Sequence, residues 1–321
     1  MNLYKYDKRF YKELSDKTGF QSYVLEKVHR LTIILDFINS HDEINESLAL
    51  KGGTSINLTI FNMPRLSVDI DMDFCAQATK EEMLKDREKI NKILLKYFET
   101  EKYVLKPKSK NPHALDSWVL GYQNVSENND IIKVEINYSL REHILPTEQR
   151  KIATDIFEKE RAINNIAALE IFAGKIAALL NRTAARDLYD IYNLVKFGMI
   201  NLNEYDLLRK CVIFYKLLSS DTKEIDFDVS VIDKLTKYKI KRDLIPMLRK
   251  KEAFDLDKAK KEVHEFLKEL LILTDEEKEF IHLFVQGKYM PQMLFKNEDI
   301  VDRVKNHPMV MWKMQNIKRL P

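Results

Sequence analysis

Three aspartates at alternate positions, separated by apolar residues, constrain the fold of this chain more than any other feature. Residues 66–74 read LSVDIDMDF, so an extended backbone places Asp69, Asp71 and Asp73 on one side and apolar side chains on the other. This alternation predicts a β-strand with one buried face. Alternate carboxylates on a strand are about 6.7 Å apart and repel each other by roughly 2 to 3 kcal/mol at an effective dielectric constant of about 20. We therefore expect a neighbouring group to compensate for this charge.

The residues around the aspartates leave two interpretations open and exclude a third. The carboxylates could form a solvated face at the edge of a sheet, where water removes most of the repulsion. They could instead act with Gly52-Gly53, because glycines at a helix start let backbone N–H groups approach a phosphate, and paired carboxylates can hold Mg²⁺. That combination predicts a nucleoside triphosphate site. An EF-hand calcium loop is excluded, since Phe74 stands where the loop needs glycine and Lys80 stands where it needs glutamate.

The pattern of apolar residues divides the chain into two parts. Before residue 163, helical spacing predicts helices over 22–41, 54–61 and 81–98, and alternation predicts strands over 66–74, 118–122 and 131–138. From residue 163 onward, long segments with helical spacing follow one another. We therefore expect an α+β protein, with a small mixed-sheet lobe over residues 1–150 followed by a helical lobe over residues 151–321.

Composition excludes several classes of protein. Hydrophobic residues make up 45% of the 321 residues, which is enough for a sizeable core. The N-terminus lacks the apolar stretch of a secretory signal, and no run of about 18 apolar residues occurs, so we expect a cytoplasmic protein without a membrane partner. Cys75 and Cys211 fit neither a zinc pattern nor a disulfide framework and are interpreted as reduced thiols. The net charge of +3, from 53 basic and 50 acidic residues, does not by itself indicate a nucleic-acid partner.

One segment is nevertheless locally basic. Residues 234–251 carry eight lysines and arginines against a single acid, Asp243, and they include Tyr238. Such a segment could follow a phosphate backbone, or it could be an ordinary solvated face. The candidate RNA-binding residues are Lys237, Lys239, Lys241, Arg242, Lys250 and Lys251. Three more lysines, at positions 106, 108 and 110, extend this basic surface only if folding brings them near.

Two motifs together resemble a known family. Gly-Gly-Thr-Ser at 52–55, followed by Arg65-x-Ser67-x-Asp69-Ile70-Asp71, is similar to the signature of the AbiEii/AbiGii toxin family, a branch of the DNA polymerase β-like nucleotidyltransferases. The resemblance implies that Asp69 and Asp71 are catalytic metal ligands, with Asp73 in reserve. It implies a nucleotide-binding set of Gly52, Gly53, Thr54, Ser55, Arg65 and Arg182.

The family pattern implies further site residues. A third metal ligand should come from a neighbouring strand, and Glu135 is the candidate, although it could equally be a partner of Lys133 or another surface cation. Lys175 and Arg182 are seven residues apart and share a helical face from which both could reach a triphosphate. Arg-Asp-x-x-Asp at 186–190 matches a family box, which assigns Asp187 to the active site, where it holds Lys175 or the incoming hydroxyl. The helical lobe would thus contribute Lys175 and Asp187 as catalytic residues. Asp190, one turn further on, either joins them or caps the helix or pairs with Arg186.

The resemblance implies a function. Members of the family are toxins of toxin-antitoxin or abortive-infection systems in phage defence. The chain would be a nucleotidyltransferase that uses Mg²⁺ or Mn²⁺ to move a nucleoside monophosphate from a nucleoside triphosphate to an acceptor hydroxyl on tRNA, with release of pyrophosphate. A cognate antitoxin would be encoded nearby. Two alternatives stay open: a catalytically inactive nucleotide-binding sensor or adaptor, and a nucleic-acid-binding helical protein whose acidic strand is structural.

Overall fold

The computed structural model describes residues 6–76, 78–152, 162–220 and 225–317. It divides into two compact units that interleave in sequence. The sheet unit comprises Met1–Arg141, Thr147–Ile166 and Met247–Glu252. The helical unit comprises Glu142–Pro146, Ala167–Pro246 and Ala253–Pro321.

A mixed sheet of seven strands forms the centre of the sheet unit in the described residues. In chain order the strands are β1 (Leu48–Lys51), β2 (Asp69–Phe74), β3 (Val104–Leu105), β4 (Leu115–Gln123), β5 (Asn129–Asn137), β6 (Glu148–Lys151) and β7 (Ala162–Asn165). Their spatial order is β3-β4-β5-β2-β1-β7-β6. β2 runs antiparallel to β1 and parallel to β5. The strand of aspartates is therefore the middle strand of the sheet, and the interpretation that places it at a sheet edge is wrong.

Helices cover the apolar side of β2. The helices of this unit are α1 (Lys8–Thr18), α2 (Ser22–Ser40), α3 (Gly52–Ser55) and α4 (Lys80–Thr100), and a single π-turn, Ile56–Ile60, continues α3. Ile70, Met72 and Phe74 of β2 are fully buried in one apolar cluster with residues of α2 and α4. A capping box fixes the start of α4, where Thr79 and Glu82 each accept a hydrogen bond from the other's backbone N–H. The apolar half of the alternating pattern thus anchors β2, and the acidic half faces the other side of the sheet.

In its described residues the helical unit is built of α-helices joined by loops and short 3-10 turns. The helices are α5 (Ala168–Arg182), α6 (Ala185–Lys196), α7 (Tyr205–Ser219), α8 (Lys237–Asp243), α9 (Leu256–Leu270), α10 (Asp275–Val285), α11 (Pro291–Leu294), α12 (Glu298–Val304) and α13 (Pro308–Ile317). α5 packs against α7. Ile176 and Leu179 of α5 and Ile213 of α7 are fully buried. None of the helices in the described ranges combines the length and the hydrophobicity that a membrane span needs.

The predicted α+β class is confirmed, with two differences in detail. β7 lies where the sequence pattern predicts the start of a purely helical region. Its four residues, AINN, show no alternation, so the strand is recognised only through its pairing with β1. The predicted lobe boundary at residue 150 falls inside β6, a strand of the sheet unit. Both strands pair with each other and extend the sheet beyond β1.

Candidate active site

Asp69 and Asp71 lie half-buried on the polar face of β2. The parallel register of β2 and β5 sets Asp69 opposite Lys133 and Asp71 opposite Glu135. The antiparallel register with β1 sets Lys51 opposite Asp71 on the other side. The two aspartates are therefore neighbours on a rigid central strand, with cations and one carboxylate on the adjacent strands.

Asp73 is more deeply buried than Asp69 and Asp71, and it forms an ion pair within the sheet. Its carboxylate accepts a hydrogen bond from Nζ of Lys51, and only 3% of the Asp73 side chain is exposed. Lys51 supplies the compensating charge that the row of carboxylates requires. The carboxylate of Asp73 is thus used within the fold, and its reserve role as a metal ligand stays a prediction.

Gly52 lets the start of α3 approach Asp71 closely. Its φ of 68° lies in the left-handed region, and a Cβ atom at this position would stand 3.1 Å from Oδ2 of Asp71. The φ of Gly53 is not positive, but a Cβ atom there would lie 2.6 Å from Nη2 of Arg65 and 3.1 Å from Oγ of Ser67. Both glycines therefore allow a close approach that a larger residue would hinder.

Three of the four polar side chains assigned to the nucleotide, those of Thr54, Ser55 and Arg65, are buried and bonded within the fold in this structure. Thr54 hydrogen-bonds the carbonyl oxygen of Asp69 through its hydroxyl, and Ser55 donates to Oδ1 of Asn165 over 2.7 Å. Arg65 is 1% exposed and donates to the carbonyl oxygen of Leu66 over 3.0 Å. These contacts tie the glycine turn to β2 and β7. Direct contact of the three side chains with a nucleotide stays a prediction.

The contacts of Glu135 do not decide between the two interpretations that the sequence left open. Nζ of Lys133 lies 2.6 Å from its carboxylate, as expected of a surface ion pair, and Glu135 is also in register with Asp71. Within the described residues, no three His, Cys, Asp or Glu side chains are gathered as a metal site. The role of Glu135 as a third metal ligand therefore stays a prediction.

In the helical unit, Asp187 binds the two cations that the family pattern singles out. Nζ of Lys175 lies 2.8 Å from Oδ1 of Asp187, and Nε of Arg182 lies 2.8 Å from Oδ2. Asp190 also pairs with Lys175, at 3.3 Å. Asp187 stands in the first turn of α6, where the helix dipole favours a negative charge. Lys175 is thus held between two buried carboxylates and is not a freely solvated surface lysine.

The surroundings of Asp187 keep it ionised. Burial by itself would raise the pKa of this carboxyl, but Lys175 and Arg182 outweigh burial, so the pKa lies below its ordinary value. An aspartate with a lowered pKa is a poor proton acceptor near neutral pH. Of the two roles expected for Asp187, its contacts therefore favour holding Lys175 over accepting the proton of a hydroxyl.

The candidate RNA-binding residues are exposed, wholly or in part, and belong to both units. Lys237, Lys239, Lys241 and Arg242 stand on α8, whereas Lys250 and Lys251 belong to the sheet unit. Nε of Arg242 lies 2.6 Å from Asp243, the one acid of the segment. Exposure of this kind suits either a phosphate-binding surface or a solvated face, and RNA binding by these residues stays a prediction.

Comparison with known proteins assigns the family. The family model of the AbiEii nucleotidyltransferase toxin, of type IV toxin-antitoxin systems, matches residues 34–282. The chain belongs to the AbiEii family. The resemblance inferred from the glycine and aspartate motifs is confirmed, and with it the expectation of a nucleotidyltransferase of a toxin-antitoxin system.

A solved structure has a similar fold. The nucleotidyltransferase toxin MenT4 from Mycobacterium tuberculosis H37Rv superposes with a TM-score of 0.58 at 14% sequence identity, covering 96% of this chain and 98% of MenT4. At this identity the likeness concerns the fold alone. No curated protein matches the chain at a significant level.

The sequence of this AbiEii protein does not single out Lys51, which precedes the glycine pair and neutralises Asp73. The pairing of Lys133 with Glu135, by contrast, is one of the alternatives that the sequence leaves open. The pairing registers that bring Lys51 to Asp73 depend on long-range strand contacts.

Proposed function

We propose that this AbiEii protein transfers a nucleoside monophosphate from a nucleoside triphosphate to a hydroxyl of tRNA and releases pyrophosphate, with Mg²⁺ or Mn²⁺ as cofactor. One observation carries the proposal: Asp69 and Asp71 share the polar face of β2 beside a glycine turn that closely approaches Asp71. The choice of tRNA follows the family resemblance and the exposed basic residues of α8. As a member of a type IV toxin-antitoxin family, the protein is expected to have a cognate antitoxin.

The donor set suits a hard divalent cation. Mg²⁺ prefers carboxylate oxygens and keeps open positions for water and substrate phosphates. Asp69 and Asp71 would hold it, and the missing side chain at Gly52 leaves room beside Oδ2 of Asp71. When bound, the metal would offset the negative charge that develops on the phosphate oxygens during transfer.

The residues of the sheet unit would orient an in-line displacement. Backbone N–H groups of Gly52 and Gly53 would bind the triphosphate. The acceptor oxygen then bonds to the α-phosphorus, the bond from that phosphorus to the pyrophosphate oxygen breaks, and the hydroxyl proton passes to solvent. In the helical unit, Asp187 holds Lys175 and Arg182, two cations suited to neutralising phosphate charge.

A labelling experiment tests the proposal. The purified protein and its Asp69→Ala/Asp71→Ala variant are incubated with Mg²⁺, total cellular RNA and each α-labelled nucleoside triphosphate in turn. We expect label in a discrete RNA band with the parent protein only. If no nucleotide is transferred, Mg²⁺-dependent nucleotide binding without transfer would favour an inactive sensor. Absence of binding as well would favour a nucleic-acid-binding protein with structural aspartates.

The close approach at Gly52 gives a second test. Gly52→Ala adds about 1 to 2 kcal/mol of backbone strain and pushes a Cβ atom toward the carboxylate of Asp71, so we expect transfer to fall about tenfold. Gly198→Ala is the matched control, because Gly198 also has a positive φ, of 58°, but its added Cβ would point into open space. Thermal unfolding and transfer rates are measured for both variants. An equal loss of transfer in both would assign the effect to strain and not to Asp71.

A further inference from the structure

A cavity of about 790 Å³ opens in the sheet unit beside Asp69 of β2. Asp69 and Glu135 form part of its wall, and so do residues of β4, including Ser117. Ser117 is in register with Glu135, which is in register with Asp71. The cavity is therefore continuous with the face of the sheet that carries the candidate metal ligands.

Four lysines line this cavity: Lys27, Lys108, Lys110 and Lys133. They stand against the two acids Asp69 and Glu135, so the lining carries a net positive charge. Lys27 is paired with Asp130 at 2.7 Å, and Lys133 with Glu135 at 2.6 Å. Lys108 and Lys110 are exposed and form no ion pair with any residue in the described ranges. These two lysines are the cations available to an anionic ligand.

The segment that carries Lys108 and Lys110 is fixed to β4. The backbone N–H and carbonyl of Lys110 both bond to Ser117, each over 2.8 Å, and the N–H of Lys106 donates to Val119 over 2.9 Å. The side chain of Lys106 crosses Gly121, where a Cβ atom would lie only 2.0 Å from Cε of the lysine. Folding therefore sets Lys108 and Lys110 at the cavity, although the sequence gives no reason to associate them with Asp69.

Sheet order separates this cavity from the glycine turn. Gly52 and Gly53 follow β1 on one side of β2, whereas the cavity is built on β5 and β4 on the other side. An in-line displacement needs the entering oxygen and the leaving pyrophosphate on opposite sides of the α-phosphorus. If the glycine turn binds the triphosphate, the acceptor must approach from the side of β5 and β4.

We infer that the lysine-lined cavity binds the sugar-phosphate backbone of an unpaired RNA end and presents its terminal hydroxyl to Asp69 and Asp71. The inference rests on the proposed function and specifies how the acceptor is bound. A volume of about 790 Å³ is that of a pocket for a ligand of small-molecule size, which suits the last nucleotides of a single strand. Pro112, Leu115 and Ile131 add apolar wall for sugars and bases, the combination that single-strand binders use.

Charge reversal at the two exposed lysines tests the inference. Binding of a short single-stranded RNA with a free 3′ hydroxyl and a 5′ fluorophore is followed by anisotropy, without nucleotide or metal, between about 50 and 200 mM salt. We expect Lys108→Glu/Lys110→Glu to weaken binding at least about tenfold and to reduce the salt slope of log K by about 1.4, the value for two phosphate contacts on a single strand. Lys108→Ala/Lys110→Ala should weaken binding less than the charge reversal does, and it should reduce the salt slope of log K by the same amount.

The control is Lys92→Glu/Lys96→Glu, which reverses the charge at two exposed positions of α4 in the same unit. It should keep the affinity of the parent, and unfolding curves should show all variants folded. Unchanged binding by the Lys108/Lys110 variants, or an equal loss in the control, would overturn the inference. In the labelling experiment, transfer of the α-labelled nucleotide to a protein instead of RNA would overturn it as well.

A parallel transfer assay separates the two proposals. If the parent labels RNA and the Lys108/Lys110 variants bind and label it equally well, the cavity assignment fails and the proposed function stands. If the parent transfers no nucleotide to any acceptor, the proposed function fails, and the acceptor role of the cavity fails with it.

Discussion

Asp71→Asn should reduce nucleotide transfer by about a thousandfold while leaving the protein folded. Asparagine keeps the shape of the side chain but removes the charge that would hold the metal. A metal supplies several kcal/mol of transition-state stabilisation, and a loss of about 4 kcal/mol corresponds to a thousandfold in rate. Removing one of three neighbouring carboxylates also relieves repulsion, which offsets part of any contact that the variant loses, so we expect it to stay folded. Single-turnover transfer and thermal unfolding measure the two effects separately.

Asp73→Asn should show the opposite pattern. Asp73 is buried and neutralises Lys51, so the variant leaves a partly buried ammonium without its counter-charge. We expect a loss of about 1 to 3 kcal/mol in the free energy of unfolding, with transfer per folded molecule largely kept. If Asp73→Asn is stable but inactive while Asp71→Asn is active, the role of metal ligand belongs to Asp73 and not to Asp71. An unfolded Asp71→Asn would assign that carboxylate to structure.

The sequence is sufficient to predict β2, because its period-two pattern records a buried face and a polar face directly. It is not sufficient to predict the position of the strand in the sheet. The neighbours of β2 are a four-residue strand, β1, and a strand about 60 positions further on, β5, and neither pairing leaves a local pattern. The ion pair between Asp73 and Lys51 follows from the register with β1. The sequence therefore predicts that a compensating charge is needed, but not that Lys51 supplies it.

The same distinction applies to the candidate site. Residue types that chemistry demands, such as paired carboxylates beside glycines, are visible in the sequence because their spacing is short. Burial of Thr54, Ser55 and Arg65 is not visible, since it depends on partners such as Asn165, which is 110 residues from Ser55. The neighbourhood of Lys108 and Asp69 likewise arises from the order of β4, β5 and β2.

Asp187→Ala should destabilise the helical unit by about 3 to 5 kcal/mol. The side chain of Asp187 is 1% exposed and that of Lys175 is 13% exposed. Within the described residues, removing the carboxylate therefore leaves a largely buried ammonium paired with Asp190 at 3.3 Å. Breaking one side of a buried ion pair has an effect of this size. Asp302→Ala is the control, because Asp302 pairs with Lys305 on the surface of α12, where the loss should stay below about 0.5 kcal/mol. Chemical denaturation of the three proteins gives the comparison.

The pH dependence of this difference should follow from the lowered pKa of Asp187. Burial opposes ionisation of the carboxyl, but Lys175 and Arg182 outweigh it, so the folded-state pKa lies below the unfolded value of about 3.9. A group with a depressed folded-state pKa contributes its stability above the unfolded pKa and loses it as pH falls through the folded one. At neutral pH the free energy of unfolding of the parent should therefore exceed that of Asp187→Ala by the full amount. The difference between the two should decrease only below about pH 4. A gap that is constant from neutral to acidic pH would show that Asp187 stabilises the unit through packing and not through its charge.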